Sequence, residues 1–291
     1  MKTLTLVGSC EQIKQIKLVY SDEIDPTVRP FIDFLIKTDQ CTITVYHSKK
    51  IVIQGEQADY HAFLINNLTQ KTQNIIAHAG SDEVGTGDYF GPICVCATYV
   101  DHQSIKWLNT LSIIDSKQLT DAQINVIAPQ LIAKLPYSLL VLTNEQYNQT
   151  HQKYNLNAIK AKLHNQAYLH LAKKCQMNVL GIIDQFTPAA TYFKYLKDEK
   201  EVYTHVEFHT KAENQFLAVA CAAIIARHAF LEALKQLEVY LQLPLPKGAS
   251  AAVDQAAAQI VRKYDFNKLN MVAKMHFKNT EKIKALLDDS L

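Results

Sequence analysis

The sequence predicts an α/β protein, with a mixed sheet flanked by helices and a small α+β unit ahead of it. Three observations predict this. The chain has 291 residues, which at roughly 150 residues per domain makes two domains. The first part holds β-branched runs joined by a short polar turn. After residue 75, short apolar runs alternate with longer segments of helical character, the pattern of a sheet covered by helices.

In chain order, residues 3–7 (TLTLV) read as a strand. Residues 9–20 place Ile13, Ile16 and Leu18 at helical spacing. The run at 30–37 fits strand or helix. Residues 41–46 (CTITVY) and 51–54 (IVIQ), joined by His47-Ser48-Lys49-Lys50, read as a hairpin. Residues 56–69 read as a helix with Ala58, Phe63, Leu64 and Leu68 on one side. The expected domain boundaries are 1–68, a polar linker at 69–74, and 75–291. In the second domain, strands are expected at 75–81, 91–100, 111–114, 138–143, 178–184 and 202–207. Helices are expected at 120–134, capped by Thr120 or Asp121, at 156–174, after Thr187-Pro188, and over 211–239. The remainder is helical, with a break at Pro244–Gly248.

Composition narrows the class. Hydrophobic residues make up 48% and charged residues 20%, which excludes a disordered chain or a coiled coil. No uninterrupted apolar run approaches the ~18 residues needed to cross a bilayer. The N-terminus lacks the apolar core of a signal peptide. A cytoplasmic protein with no membrane partner is expected. The six cysteines contain no C-x-x-C pair, so reduced and mostly buried thiols are expected; Cys94 and Cys96 share one strand face. Residues 247–284 carry 8 Lys+Arg against 3 Asp+Glu, whereas residues 1–70 carry 7 against 8. A local basic surface suits a polyanion, although a solvated Lys-rich tail explains the same charge.

Chemistry concentrates in Gly80-Ser81-Asp82-Glu83-Val84-Gly85-Thr86-Gly87-Asp88-Tyr89-Phe90-Gly91-Pro92, which holds four of the chain's 8 glycines. Unpaired carboxylates at the exit of a buried strand are costly, and a divalent cation supplies the missing charge. Asp184 ends a second apolar run, VLGIID, and Glu213 precedes the apolar stretch FLAVACAAIIA. Helix capping accounts equally for Asp184 and Glu213 taken singly. Strand alternation sends Asp82 and Glu83 to opposite faces unless the chain kinks there.

These segments resemble ribonuclease HIII, a branch of the type 2 ribonucleases H. The anchors are GSDEVGTGDYFGP (80–92), IDSKQLT (114–120), YNLNAIKAKLHNQA (154–167), IIDQF (182–186), HTKAENQFLAVACAAIIAR (209–227), PKGAS (246–250) and AKMHFKNTEKI (273–283). Thr86 within Gly85-Thr86-Gly87, together with Glu213, favours HIII over the related ribonuclease HII. That relative has Arg and Asp at these two places.

The resemblance implies a ribonuclease H fold, a five-stranded mixed sheet between helices. It also implies an N-terminal domain resembling half of a TATA-binding protein, whose hairpin is similar to YHSKKIVIQG (46–55). The implied activity is hydrolysis of the RNA strand of an RNA/DNA hybrid, giving 5′-phosphate and 3′-hydroxyl ends. The implied catalytic and metal-binding carboxylates are Asp82, Glu83, Asp184 and Glu213. They would hold two Mg²⁺ ions, with Mn²⁺ as an alternative and Asp82 bridging both. The backbone of Gly85, Thr86 and Gly87 would sense the 2′-hydroxyl. Ser116, Lys117 and Lys211 would meet phosphates, and Ser48 and Lys50 the duplex. A monomer with no obligate protein partner is expected. Junction-cutting activity like that of ribonuclease HII and hybrid binding without catalysis are the rival readings. Lys160, His164 and Asn165 lie on the long helix, where a solvated face is the plain reading and a role beside the substrate stays open; His78, His209 and His276 are read as structural.

Overall fold

The computed structural model describes residues 2–27, 29–38, 40–58, 61–62, 65, 77–108, 111, 113, 119–176 and 178–288. The chain divides into two compact units, Met1–Ile75 and Ile76–Leu291.

The first unit is an antiparallel sheet packed on helix. Its strands are β1 (Lys2–Val7), β2 (Ile24–Asp25), β3 (Ile32–Lys37), β4 (Cys41–Tyr46) and β5 (Lys50–Gly55), in the order β1-β5-β4-β3-β2. Helix α1 (Cys10–Val19) starts at a capping box, in which the Ser9 side chain accepts from the Gln12 amide and Gln12 reciprocates. The ambiguous run at 30–37 is a strand, because alternation buries Phe34 and Ile36 with Ile43, Val45, Ile51 and Ile53 in one core. Ala58, His61, Ala62 and Ile65 are helical and buried. Phe63, Leu64, Leu68 and the segment read as a linker lie outside the described residues.

The second unit is built on β6 (His78–Val84), β7 (Ile93–Val100), β8 (Tyr137–Leu142), β9 (Gly181–Asp184) and β10 (Val206–His209), in the order β10-β9-β6-β7-β8. The β6-β7 and β7-β8 pairs are antiparallel; β6-β9 and β9-β10 are parallel. Helices α2 (His102–Leu108), α3 (Asp121–Lys134), α4 (Asn144–His151), α5 (Leu156–Cys175), α6 (Ala189–Tyr195), α7 (Leu217–Leu241), α8 (Ala251–Lys263), α9 (Phe266–Val272) and α10 (Lys278–Asp288) surround it.

Among the described residues, the two larger cores lie one on each sheet face. Cys94, Cys96, Ile124, Leu131, Cys221, Ile224 and Ile225 pack on the α7 side. Ala79, Ile93, Val95, Ile159, Tyr168 and Ile183 pack on the α5 side. Helix α7 is long and apolar enough to cross a bilayer by length and composition (mean hydropathy 1.7), but 61% of that window is buried against this protein's own core. Gly80 sets its approach: a Cβ there would stand 2.3 Å from the Val219 amide nitrogen. Thr120, rather than Asp121, caps α3 through a capping box with Gln123.

Among the described residues, the strand expected at 111–114 is not seen. Leu111 and Ile113 lie in 3-10 turn, and Ile113 is fully buried in the α7-side core instead of pairing in a sheet.

Candidate active site

The parallel pairing of β6 and β9 brings the acids together. Ser81 pairs with Ile183, and the next residue on each strand is an acid, Asp82 and Asp184. Strand β10 runs parallel to β9 and exits at His209 into a 3-10 turn, Ala212–Asn214, that carries Glu213. The Ala212 amide donates to Asp184 Oδ1 at 3.1 Å, which ties this turn to the end of β9. Glu213 therefore sits in a separate turn ahead of α7, not in the first turn of the long helix. It is 2% exposed. The carboxyl ends of parallel strands are where open α/β sheets place their ligands.

Asp82 and Glu83 obey the alternation of the strand. The β6-β7 ladder continues unbroken to Val84, with Asp82 opposite Cys96 and Glu83 opposite Val95. Cys96 belongs to the α7-side core and Val95 to the α5-side core. No kink redirects the chain before Gly85; both acids lie at the sheet's end, where the charge of Glu83 acts on Asp82. The Asp82 carboxyl is pushed well above the usual carboxylate range, first by burial, then by the charge of Glu83, with Asp184 and Glu213 adding to it. Burial pushes Glu83 upward too, but the hydrogen bond and charge of His164 and the Lys160 ammonium outweigh it and hold its carboxyl below the usual range.

Lys160 and His164 on α5 are the partners that the sequence reading missed. They are 8% and 0% exposed, so this helix face is not solvated. Lys160 Nζ ion-pairs with Glu83 Oε1. His164 Nε2 stands 2.9 Å from Glu83 Oε2, and its Nδ1 faces Ser81 Oγ at 2.7 Å. A carboxylate only accepts, so Nε2 carries the shared hydrogen. The signal was present in the spacing: positions 160, 164, 167, 168 and 171 form one stripe, and Ala167, Tyr168 and Leu171 are buried on it. Asn165, also buried, donates to the Glu201 carbonyl and accepts from the Tyr203 amide.

The glycine-rich loop is held from behind. Gly85 has φ +96°, and a Cβ there would lie 2.1 Å from the Pro92 carbonyl oxygen. Gly87 is exposed, and a Cβ there would meet nothing within 4 Å, so the space before it is open to a ligand. The Gly248 amide donates to Asp88 Oδ1 at 2.6 Å and the Tyr89 amide to the Gly248 carbonyl at 2.9 Å. The loop at 246–250 is thereby fixed beside the loop at 85–91.

Asp82, buried with the charges of Glu83, Asp184 and Glu213 acting on it, offers the hard carboxylate oxygens that a divalent cation fits. Among the described residues, no three of His, Cys, Asp and Glu stand as a ready-made metal cage. The oxygens of Glu83 are turned to α5 instead.

A family model described as ribonuclease HII matches residues 79–280. Ribonuclease HIII of Bacillus cereus (strain AH187) is 40% identical over 297 residues, spanning 94% of this chain and 96% of that protein. The chain belongs to the ribonuclease HIII family. Ribonuclease HIII of Bacillus pumilus (strain SAFR-032) is 39% identical over 307 residues, spanning 99% of this chain and all of that one. The crystal structure of Bst-RNase HIII in complex with Mn²⁺ superposes with a TM-score of 0.73 at 35% identity, covering 98% of this chain and 99% of that one. Residues 6–75 match a domain of unknown function (DUF3378). As a ribonuclease HIII, the protein is an enzyme of the ribonuclease H type.

The remaining residues expected in the site fall differently. Thr86 is half-buried between Gly85 and Gly87. Lys211 is exposed in the left-handed conformation, φ 55°, at the start of the Glu213 turn. Ser48 and Lys50 are exposed at the β4-β5 turn of the first unit, where Lys49 has φ 67°. Ser116 and Lys117 lie outside the described residues. His78 is structural, bonded to the Ala218 amide at 3.3 Å.

Proposed function

We propose that this protein is a divalent-cation-dependent endonuclease that hydrolyses the RNA strand of RNA/DNA hybrids, leaving 5′-phosphate and 3′-hydroxyl ends. The observation that carries the reading is Asp82 at the end of β6, with the charges of Glu83, Asp184 and Glu213 all acting on it, in a chain of this family. The Mn²⁺ bound by the Bst enzyme supports the cation requirement. Asp82, Glu83, Asp184 and Glu213 are the residues that would hold two such ions, Mg²⁺ or Mn²⁺. When bound, two ions supply an activated water and a stabilised leaving oxygen.

The chain's own groups do the rest. Gly85 lets the backbone turn sharply after the acids, and the open space at Gly87 admits a ribose beside the loop. A 2′-hydroxyl there would meet backbone donors and acceptors, which is how RNA is told from DNA. Lys211, exposed two residues before Glu213, is proposed to meet a phosphate. Ser116 and Lys117 are proposed to do the same, and Ser48 and Lys50 to meet the duplex from the N-terminal unit. A monomer acting without an obligate protein partner in the cytoplasm completes the proposal.

One gel tests it. An RNA strand paired to DNA, and in parallel a DNA duplex with a single embedded ribonucleotide, are incubated with the protein in Mg²⁺. Cutting of the first alone is expected. Cutting of both would indicate activity like that of ribonuclease HII. Cutting of neither, with Mn²⁺ failing as well, would leave hybrid binding without catalysis.

A further inference from the structure

We infer that Lys160 is a resident counter-cation of the acid cluster: it holds Glu83 while no metal is bound and releases it to a divalent cation, with His164 keeping the carboxylate in position. The inference rests on the metal-dependent reading above.

The argument begins with cost. Removing an ammonium from water is unfavourable by several kcal/mol unless it is paired. Lys160 is nonetheless 8% exposed, within a box of three groups. It ion-pairs with Glu83 Oε1. It lies 3.9 Å from the centroid of the Phe186 ring. That ring in turn stacks on His164, with centroids 5.5 Å apart and planes at 28°. Phe186 is two residues past Asp184, so the box joins the exits of β6 and β9 to α5. A fold that needed only packing here would carry an apolar side chain. This one places a fixed positive charge against one carboxylate of the cluster.

The two oxygens of Glu83 are divided between two donors one helical turn apart. Lys160 takes Oε1, and His164 takes Oε2 at 2.9 Å, backed by Ser81 at 2.7 Å. Lys160 ends a flexible four-carbon stem, whereas His164 is fully buried and held from both sides. Lys160 is therefore the partner that can move. An ammonium and a divalent cation answer the same negative charge on Oε1 and are alternatives there. His164 acts through Glu83 and is a positioning residue. Withdrawal of Lys160 frees Oε1 of Glu83 for a cation while Oε2 stays on His164.

The test is a thermal melt of the full-length protein, free of nucleic acid, across a MnCl₂ titration. The wild type should be stabilised by Mn²⁺. Lys160→Met keeps the packing on Phe186 and removes the competing charge. Its Mn²⁺ midpoint should fall about tenfold, the scale of one charge-assisted hydrogen bond. Lys160→Arg keeps the charge, and its midpoint should stay within about twofold of the wild type. An unchanged or raised midpoint in Lys160→Met overturns the inference while leaving metal binding intact. Should that variant not fold, a tenfold fall in Lys160→Arg overturns it equally. A wild type that ignores Mn²⁺ overturns the metal reading, and the inference with it.

Discussion

The Lys274 ammonium donates to the Gly91 carbonyl oxygen at 2.5 Å, although Lys274 is wholly buried. The same nitrogen donates to the Asp88 carbonyl at 2.8 Å, and the Asn144 side-chain amide also reaches Gly91 at 2.9 Å. A loop that must turn sharply has few ladder bonds of its own, and Lys274 satisfies its carbonyls from behind. Lys274→Met leaves buried acceptors without their charged donor. That costs about 1–3 kcal/mol, partly offset because no ammonium need then be desolvated. The variant should lose about 2 kcal/mol in urea denaturation and raise KM for hybrid more than it lowers kcat. Unchanged stability would show that the loop holds its shape without this staple.

Gly85 and Gly87 are separated by one residue and should respond oppositely. Gly85→Ala meets both a left-handed backbone, φ +96°, and the Pro92 carbonyl at 2.1 Å. It should destabilise the fold by about 2 kcal/mol or more. A methyl group at Gly87 meets nothing, so Gly87→Ala should melt within about 0.5 kcal/mol of the wild type. Weaker cleavage in Gly87→Ala, with stability intact, would place its effect on the substrate. Equal melting of the two variants would contradict the loop geometry.

What was legible in the sequence follows from what each signal depends on. Asp82 and Glu83 stood out because charge at the end of an apolar strand contradicts its surroundings. Asp184 was visible for the same reason. Glu213 was visible only through the family resemblance, since its 3-10 turn leaves no periodic trace. Lys160 and His164 were read as solvent-facing by residue type, although their spacing with Ala167 and Leu171 places them on the buried stripe. Helix α4 has one buried aromatic residue, Tyr147, and lacks an apolar stripe; its mark was the Thr143–Gln146 capping box. Lys274 could not be anticipated, because its partners are backbone carbonyls distant in sequence.

Alkaline pH should weaken the fold. Burial raises the thiols of Cys94, Cys96 and Cys221 above their ordinary value of 9.0, Cys94 to about 12. Above pH 9 the unfolded chain releases these protons and the folded chain keeps them. The folded state then binds more protons, and stability falls as pH rises. Each such thiol contributes about 1.4 kcal/mol per pH unit once ionised only in the unfolded chain. Lys274 opposes this. Burial lowers it from 10.5 to about 8, so between those values the unfolded chain holds its extra proton and stability gains with pH. Three thiols outweigh one amine above pH 9. Urea midpoints under reducing conditions should therefore drop between about pH 9 and about pH 10.5. A flat or rising profile would mean the thiols ionise within the fold.

Adjacent acids in one strand should respond to neutralisation with opposite signs. Asp82 is opposed by burial and by the charges of Glu83, Asp184 and Glu213, and its favourable contact is the Glu83 amide at 2.8 Å. Asp82→Asn keeps an oxygen that accepts this bond and removes the charge conflict. In EDTA it should be at least as stable as the wild type, while losing both stabilisation by Mn²⁺ and cleavage of hybrid. Glu83 is instead the shared acceptor of Lys160 and His164. Glu83→Gln leaves a buried ammonium without its counter-charge, and breaking a buried pair from one side costs about 3–5 kcal/mol. Residual exposure of the Lys160 side chain, 10%, puts the expected loss toward the lower end of that range. Urea denaturation of both variants in EDTA decides the matter. A destabilised Asp82→Asn would mean that Asp82 is held by attraction rather than strained by repulsion. An undiminished Glu83→Gln would mean that Lys160 finds another partner, and that its pairing with Glu83 is incidental to the fold.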